Sequence, residues 1–255
     1  MEDGGTERFG AADLTRRIAA IDPMFGTGVA HLDRVLRHDA ELVAGDKALI
    51  LVATTAVRDP HGLADEVHRA RTLGTTATDL RAVALALYLS RGARPCRLVL
   101  DTVDIVEPGR RPAAPGNEHG AFGDPIPTEE IVAEFSRVFG TVPERIALLV
   151  EHSHDGLEAY HRMRTAVLGH GPLEPRLGEL MLMAVNAAEH RSDFAAVHAG
   201  GARRAGASEA QLVEAGLCAV TTGGVAAWLS AAEAIVDTRS DARPTPTPTP
   251  TPNAR

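Results

Sequence analysis

Two stretches of this chain echo one another, and the echo restricts the fold to two related bodies. Glu66-Val67-His68-Arg69-Ala70 in the first half pairs with Ala196-Val197-His198-Ala199-Gly200 in the second, which places two histidines 130 residues apart. Each histidine follows an apolar run with helical spacing. Each precedes a glycine, small polar residues and a fresh helix start: Gly74-Thr75-Thr76-Ala77-Thr78 and Gly206-Ala207-Ser208-Glu209. Other landmarks keep the same order. Phe25-Gly26-Thr27 reappears as Phe139-Gly140-Thr141, and Gly92 with Leu98 matches Gly223 with Leu229. Apolar positions keep a helical period nearly to residue 238, with no alternating strand pattern. Aromatic residues make up only 4% of the chain, and alanine and leucine dominate, which suits closely packed helices. The expected fold is all-α, built from two tandem helical units.

The punctuation of the chain sets the expected domain limits. Residues 1–10 read as a disordered N-terminus and 11–106 as a first helical unit. Residues 107–127, rich in proline, glycine and charge, read as a linker. A second unit covers 128–238, and 239–255 is a disordered tail carrying a Thr-Pro repeat, expected to be extended and solvated. Helices are expected at about 24–38, 45–58, 61–73, 77–91 and 95–106 in the first unit. In the second, Thr128 reads as an N-cap, Pro143 stands near a helix start, and Asp193 reads as a further cap. Ser208 with Gln211 reads as a capping box. The distance from the Phe-Gly-Thr landmark to the histidine is longer in the second half, so one extra helix is expected there, at about 155–168.

Composition excludes several classes of function. Net charge is −8 and the arginines and lysines are scattered, so nucleic acid is not an expected partner. No run approaches the roughly 18 apolar residues of a membrane span. The N-terminus is acidic and polar, unlike a secretory signal, and a cytoplasmic location is expected. The two cysteines, Cys96 and Cys218, lie far apart in apolar helical stretches and read as buried, inert thiols. Glu151-His152-Ser153-His154-Asp155 offers two histidines with no third ligand at a usual spacing, so no metal site is expected.

An ordered set of motifs in the second half points to a family. Leu173-Glu174-Pro175-Arg176-Leu177-Gly178-Glu179-Leu180 leads into an apolar helix. Asp193-Phe194-Ala195-Ala196-Val197-His198-Ala199, Ala205-Gly206-Ala207-Ser208 and Gly223-Gly224-Val225-Ala226-Ala227 follow. This order resembles the carboxymuconolactone decarboxylase / alkylhydroperoxidase D-like superfamily, well over about 132–235 and more weakly over about 18–106. The resemblance implies an all-α fold whose units assemble, so a homo-oligomer is expected, a trimer or a dimer for a tandem chain. The peroxidase branch of that superfamily carries Cys-x-x-Cys before the histidine. Here those positions hold Arg191 and Phe194, so thiol-based peroxide reduction is not expected. The decarboxylase branch uses neither a cysteine pair nor a cofactor, and this chain looks closer to it.

The residues themselves suggest where chemistry would sit. Glu179, Met183, Asn186 and His190 fall at i, i+4, i+7 and i+11, one stripe of a helix. The next helix presents Phe194, His198 and then the small residues Gly201 and Ala202. Glu179, Asn186, His190 and His198 are therefore expected to converge as a catalytic set, with Met183, Phe194 and Arg191 contacting substrate. A histidine can protonate the carbanion left by departing carbon dioxide, a glutamate can orient it, and an asparagine can hold the developing oxyanion. The same groups serve isomerisation or cyclisation. His68 is the expected first-unit counterpart. Ala48 stands where ungapped alignment places the partner of Glu179, so the first unit reads as a mainly structural copy. The expected activity is a cofactor-independent acid–base reaction on a small carboxylate or lactone, or on a polyketide-like acid. A non-catalytic ligand-binding or scaffold protein is the competing reading. An open cleft in which Glu179 faces His198 would favour catalysis, and a filled one the scaffold.

Overall fold

A computed structural model describes residues 11–107 and 124–239. The N-terminal ten residues, the greater part of the expected linker and the Thr-Pro tail lie outside the described residues. Within them all regular structure is helical. The first half holds α1 (Ala11–Ile21), α2 (Pro23–Arg37), α3 (Ala44–Arg58), α4 (Leu63–Thr72), α5 (Ala77–Arg91) and α6 (Ala93–Val106). The second holds α7 (Thr128–Phe139), α8 (Glu144–His152), α9 (His154–Leu168), α10 (Pro175–Ala188) and α11 (Ser192–Arg204). It ends with α12 (Glu209–Cys218) and α13 (Val220–Asp237), the latter bent at Gly224.

The helix order recurs with a nearly constant offset, but not the one the histidines suggest. Capping boxes close at Thr76–Asp79 and at Ser208–Gln211, 132 residues apart. The glycines that turn the chain at positive φ, Gly74 with Gly206 and Gly92 with Gly224, keep the same 132. Further upstream the offset is 131: α2 and α9 both run for 15 residues, and both are capped by a side chain, Asp22 and Ser153. His198 therefore stands opposite Glu66, not His68. A slip of two residues turns a side chain by about 200° on a helix, and His68 accordingly faces outward and is exposed. The Phe-Gly-Thr landmarks, 114 residues apart, do not fit this offset either. Phe25 lies in the first turn of α2, whereas Phe139 closes α7 against a left-handed Gly140. Because α9 matches α2, the extra helix of the second half is α7 and not residues 155–168.

Two expected caps are also reassigned. Pro127 occupies the N-cap of α7, and the Thr128 hydroxyl instead hydrogen-bonds His154 Nδ1 at 2.8 Å. Arg191 occupies the N-cap of α11, leaving Asp193 in its first turn, where a carboxylate still opposes the helix dipole.

The apolar runs of α3 and α10 are buried along almost their whole length and pack against each other at the centre. Both halves feed one core. A separate small cluster, Ile131, Phe135, Ile146 and Leu157, lies under α7–α9. A buried ion pair ties the halves together. Lys47 of α3 donates to the Val35 carbonyl at 2.7 Å and to Glu214 Oε2 of α12 at 3.2 Å. The Glu214 carboxylate also accepts the backbone N–H groups of Glu41 and Leu42 at 3.1 and 3.0 Å. Both cysteines are buried and unpaired with each other. Burial raises the Cys96 thiol and pushes Cys218 up to about 12, so neither supplies a thiolate near neutral pH.

Candidate active site

Helix α10 begins with Pro175 at its first position and buries every residue from Leu177 to Ala188. Two of those buried residues are polar, Glu179 and Asn186. Helix α11 runs alongside and brings His198 opposite the carboxylate. His198 Nδ1 lies 2.7 Å from Glu179 Oε2. The other carboxylate oxygen is 3.7 Å from an Arg164 guanidinium nitrogen of α9. Gly201, one turn beyond His198, makes the approach possible. A Cβ built there would fall 2.6 Å from both Glu179 oxygens. Gly201→Ala is thus expected to push the carboxylate off His198 while the helix itself gains propensity. The His198 ring ¹⁵N shifts and thermal melts check this: loss of the Nδ1–carboxylate bond at a nearly unchanged melting point is the expected pattern.

The pair opens into a cleft of about 400 Å³. The body contributes Glu179, Leu182, Asn186, Arg191, Asp193, Phe194, Val197 and His198 from α10, α11 and their junction, and Leu89, Ser90 and Arg91 from the end of α5. The opposite wall comes from α7–α9: Phe139, Arg145, Tyr160, Arg164 and Leu168. Four guanidiniums, those of Arg91, Arg145, Arg164 and Arg191, face this space against two carboxylates. In a chain of net charge −8 that local excess of positive charge favours an anionic ligand. Three of the four lie over aromatic faces. Arg191 sits 4.0 Å above the Phe194 ring centre, and Arg164 and Arg145 sit 5.2 and 5.6 Å from that of Phe139. A guanidinium held over a ring keeps N–H groups able to meet a carboxylate.

Of the residues expected from the sequence, Glu179, Asn186 and His198 are brought together, with Phe194 and Arg191 at the rim. Two are not. Met183 is fully buried in the core, because the stripe facing the cleft is Glu179, Leu182 and Asn186, at i, i+3 and i+7. His190 lies past the end of α10 with φ 59°, a left-handed turn that carries it out to solvent. Its neighbour Glu189 is paired with Arg91. His152 is exposed, and among the described residues no three histidine, cysteine, aspartate or glutamate side chains gather as a metal would require. The residues missed by sequence reasoning are the arginines and aromatics of α5 and α7–α9. Their helices were legible, but nothing local in sequence aims them at a site on α10 and α11.

Comparisons with known proteins fit this picture. Residues 155–237 match the carboxymuconolactone decarboxylase family. Two solved structures from Burkholderia xenovorans LB400 are similar. One, described as a candidate gamma-carboxymuconolactone decarboxylase subunit, is 22% identical with a TM-score of 0.52, covering 88% of this chain and 90% of its own. The other, described as a candidate carboxymuconolactone decarboxylase, is 25% identical over 44% of this chain and 91% of its own, with a TM-score of 0.39. No curated protein matches. The matched segment contains Glu179, Asn186, Arg191, Phe194 and His198, whereas Arg91, Phe139 and Arg145 precede it. Through that segment and its all-helical fold, the chain resembles the carboxymuconolactone decarboxylase / alkylhydroperoxidase D-like superfamily.

Proposed function

We propose that this protein is a cofactor-independent acid–base enzyme acting on a small or polyketide-like carboxylate or lactone, and that its reaction is decarboxylation. The observation that carries this reading is the His198–Glu179 pair, 2.7 Å apart, at the wall of an open, arginine-lined cleft. The open cleft and the facing carboxylate favour catalysis over a scaffold role.

The chemistry follows from the groups present. With Nδ1 held by Glu179, the His198 Nε2 is the nitrogen left for substrate. Arg145, Arg164 and Arg191 would hold a carboxylate that the substrate retains. The apolar wall of Leu89, Leu168, Leu182 and Val197 would desolvate the carboxylate that departs. As the carbon–carbon bond breaks, its electron pair moves into a conjugated carbonyl and carbon dioxide leaves. The resulting enolate oxygen would accept an N–H from Asn186. Imidazolium Nε2–H then protonates carbon, and the neutral histidine regains a proton from water.

The same groups can move a proton between carbons without loss of carbon dioxide, which would make the enzyme an isomerase or cyclase. Incubation in deuterated water with muconolactone-like and β-keto carboxylates separates these outcomes. One deuterium on carbon per carbon dioxide supports decarboxylation, and deuterium without carbon dioxide supports isomerisation. A folded protein that gives neither with any acid of this class contradicts the reading.

A homo-oligomer, trimer or dimer, in the cytoplasm goes with this function. On α13, Val225 and Leu229 are 69% and 63% exposed, and with Val236 they form one apolar stripe. Light scattering is expected to give two or three times the chain mass of 26.9 kDa, and a monomer would contradict the assembly.

A further inference from the structure

We propose that Arg91, on the first-half helix α5, is a positioning residue for the second half's site. It fixes the Asn186 amide so that one N–H remains available to the cleft. The half that lacks the histidine–glutamate pair thereby completes the site of the half that has it.

Asn186 offers one carbonyl oxygen and two N–H groups, and it is only 1% exposed. Arg91 Nη2 donates to Asn186 Oδ1 at 2.8 Å. Asn186 Nδ2 donates to the Leu182 carbonyl, one turn back in α10, at 2.7 Å. Both bonds require the same orientation. Flipped, the amide would turn its N–H groups on the Arg91 donors and its oxygen on the Leu182 oxygen, two repulsive contacts in a buried place. With the carbonyl and one N–H committed, the second N–H is the group left over, and Asn186 lines the cleft.

Arg91 is itself held on every side. Its Nη1 donates to the Ser90 carbonyl at 2.7 Å and to the Ser90 hydroxyl at 2.8 Å, and its ion-pair partner is Glu189 at the end of α10. Helix α5 stops immediately after it, at Gly92 with φ 79°, so the side chain leaves the last turn towards α10. Burial, partly offset by Glu189, lowers the Arg91 guanidinium from its ordinary value. Those bonds distinguish it from Arg145, Arg164 and Arg191, which lie over aromatic rings. Arg91 orients a protein amide, and the other three are left to meet the ligand of the proposed reaction.

The catalytic consequence rests on the acid–base reading above, but the test does not. In the ¹⁵N-labelled full-length chain without ligand, the Asn186 side-chain pair is identified by its disappearance in Asn186→Asp. The N–H of that pair bonded to the Leu182 carbonyl is expected to exchange at least roughly tenfold more slowly than that of a free asparagine amide. Arg91→Met should abolish that protection, and Arg91→Lys, which keeps one donor within reach of Oδ1, should restore part of it. Glu189→Gln, which removes only the ion pair of Arg91, should leave it intact. A merely structural Arg91 would instead show the same loss in Glu189→Gln and no rescue by lysine. An Asn186 amide that stays protected in a folded Arg91→Met protein overturns the proposal. Failure of the decarboxylase reading would appear as silence in the deuterium assay with the amide still protected by Arg91.

Discussion

His198→Gln is expected to lower turnover by roughly 10²- to 10⁴-fold, the range for losing a positioned general acid. Glutamine can keep a hydrogen bond to Glu179 and fills similar space, but it cannot carry a proton at neutral pH. The loss should therefore fall on the chemical step, with substrate affinity set by the arginines almost untouched. Because Nδ1 of His198 is bonded to Glu179 Oε2 at 2.7 Å, the two residues act as a unit. Glu179→Gln should lose less than His198→Gln. The double variant should lose little more than His198→Gln alone, since the carboxylate acts only through the ring. A double variant whose losses multiply would mean that Glu179 touches the substrate directly. Steady-state kinetics of the three variants decide between these outcomes.

Lys47→Met is expected to destabilise the fold by about 3–5 kcal/mol, the cost of leaving a buried carboxylate without its cation. Lys47 is completely buried, and its partner Glu214 is anchored by two backbone N–H groups from the loop before α3. Removing the ammonium leaves Glu214 charged among apolar neighbours. Glu214→Gln on its own strands the lysine instead. Combining Lys47→Met with Glu214→Gln removes both charges while the glutamine carbonyl can still accept from Glu41 or Leu42. The double variant should thus be more stable than the sum of the singles implies, by about 1–3 kcal/mol of coupling. Urea titrations at a common temperature measure all three. Because Lys47 and Glu214 belong to different halves, a single unfolding transition is expected. Two separated transitions would show that the halves fold apart.

What was legible in the sequence was local. Helix limits came through closely because their signals are local: the Ser208–Gln211 box, Pro175 at a helix start, and Gly206 after a helix end. The approach of Glu179 to His198 was also legible, although the stripe that faces the cleft runs through Leu182 and not Met183. The register expected for the two halves does not hold. The paired histidines invite an offset of 130, whereas the capping boxes and turning glycines, which fix backbone geometry, give 132. That slip moved the supposed partner of His198 from Glu66 to His68. Glu66 is committed elsewhere, accepting two hydrogen bonds from Arg37 at 2.7 Å. The first half thus carries the Arg37–Glu66 ion pair where the second carries His198 against Glu179. What stayed hidden depended on contacts between distant segments. Arg91 meets Asn186 across 95 residues and Lys47 meets Glu214 across 167, and no local pattern announces either.

The most direct test of the central claim follows one proton. Wild-type protein and His198→Gln, each in molar excess over a carboxylate that the wild type consumes, are allowed a single turnover in deuterated water. Carbon dioxide and deuterium on carbon are measured from the same tube. The account predicts one deuterium per carbon dioxide in the wild type, and both lost together in the variant. Carbon dioxide released at the wild-type rate by His198→Gln would contradict it, because the proton would then come from another group.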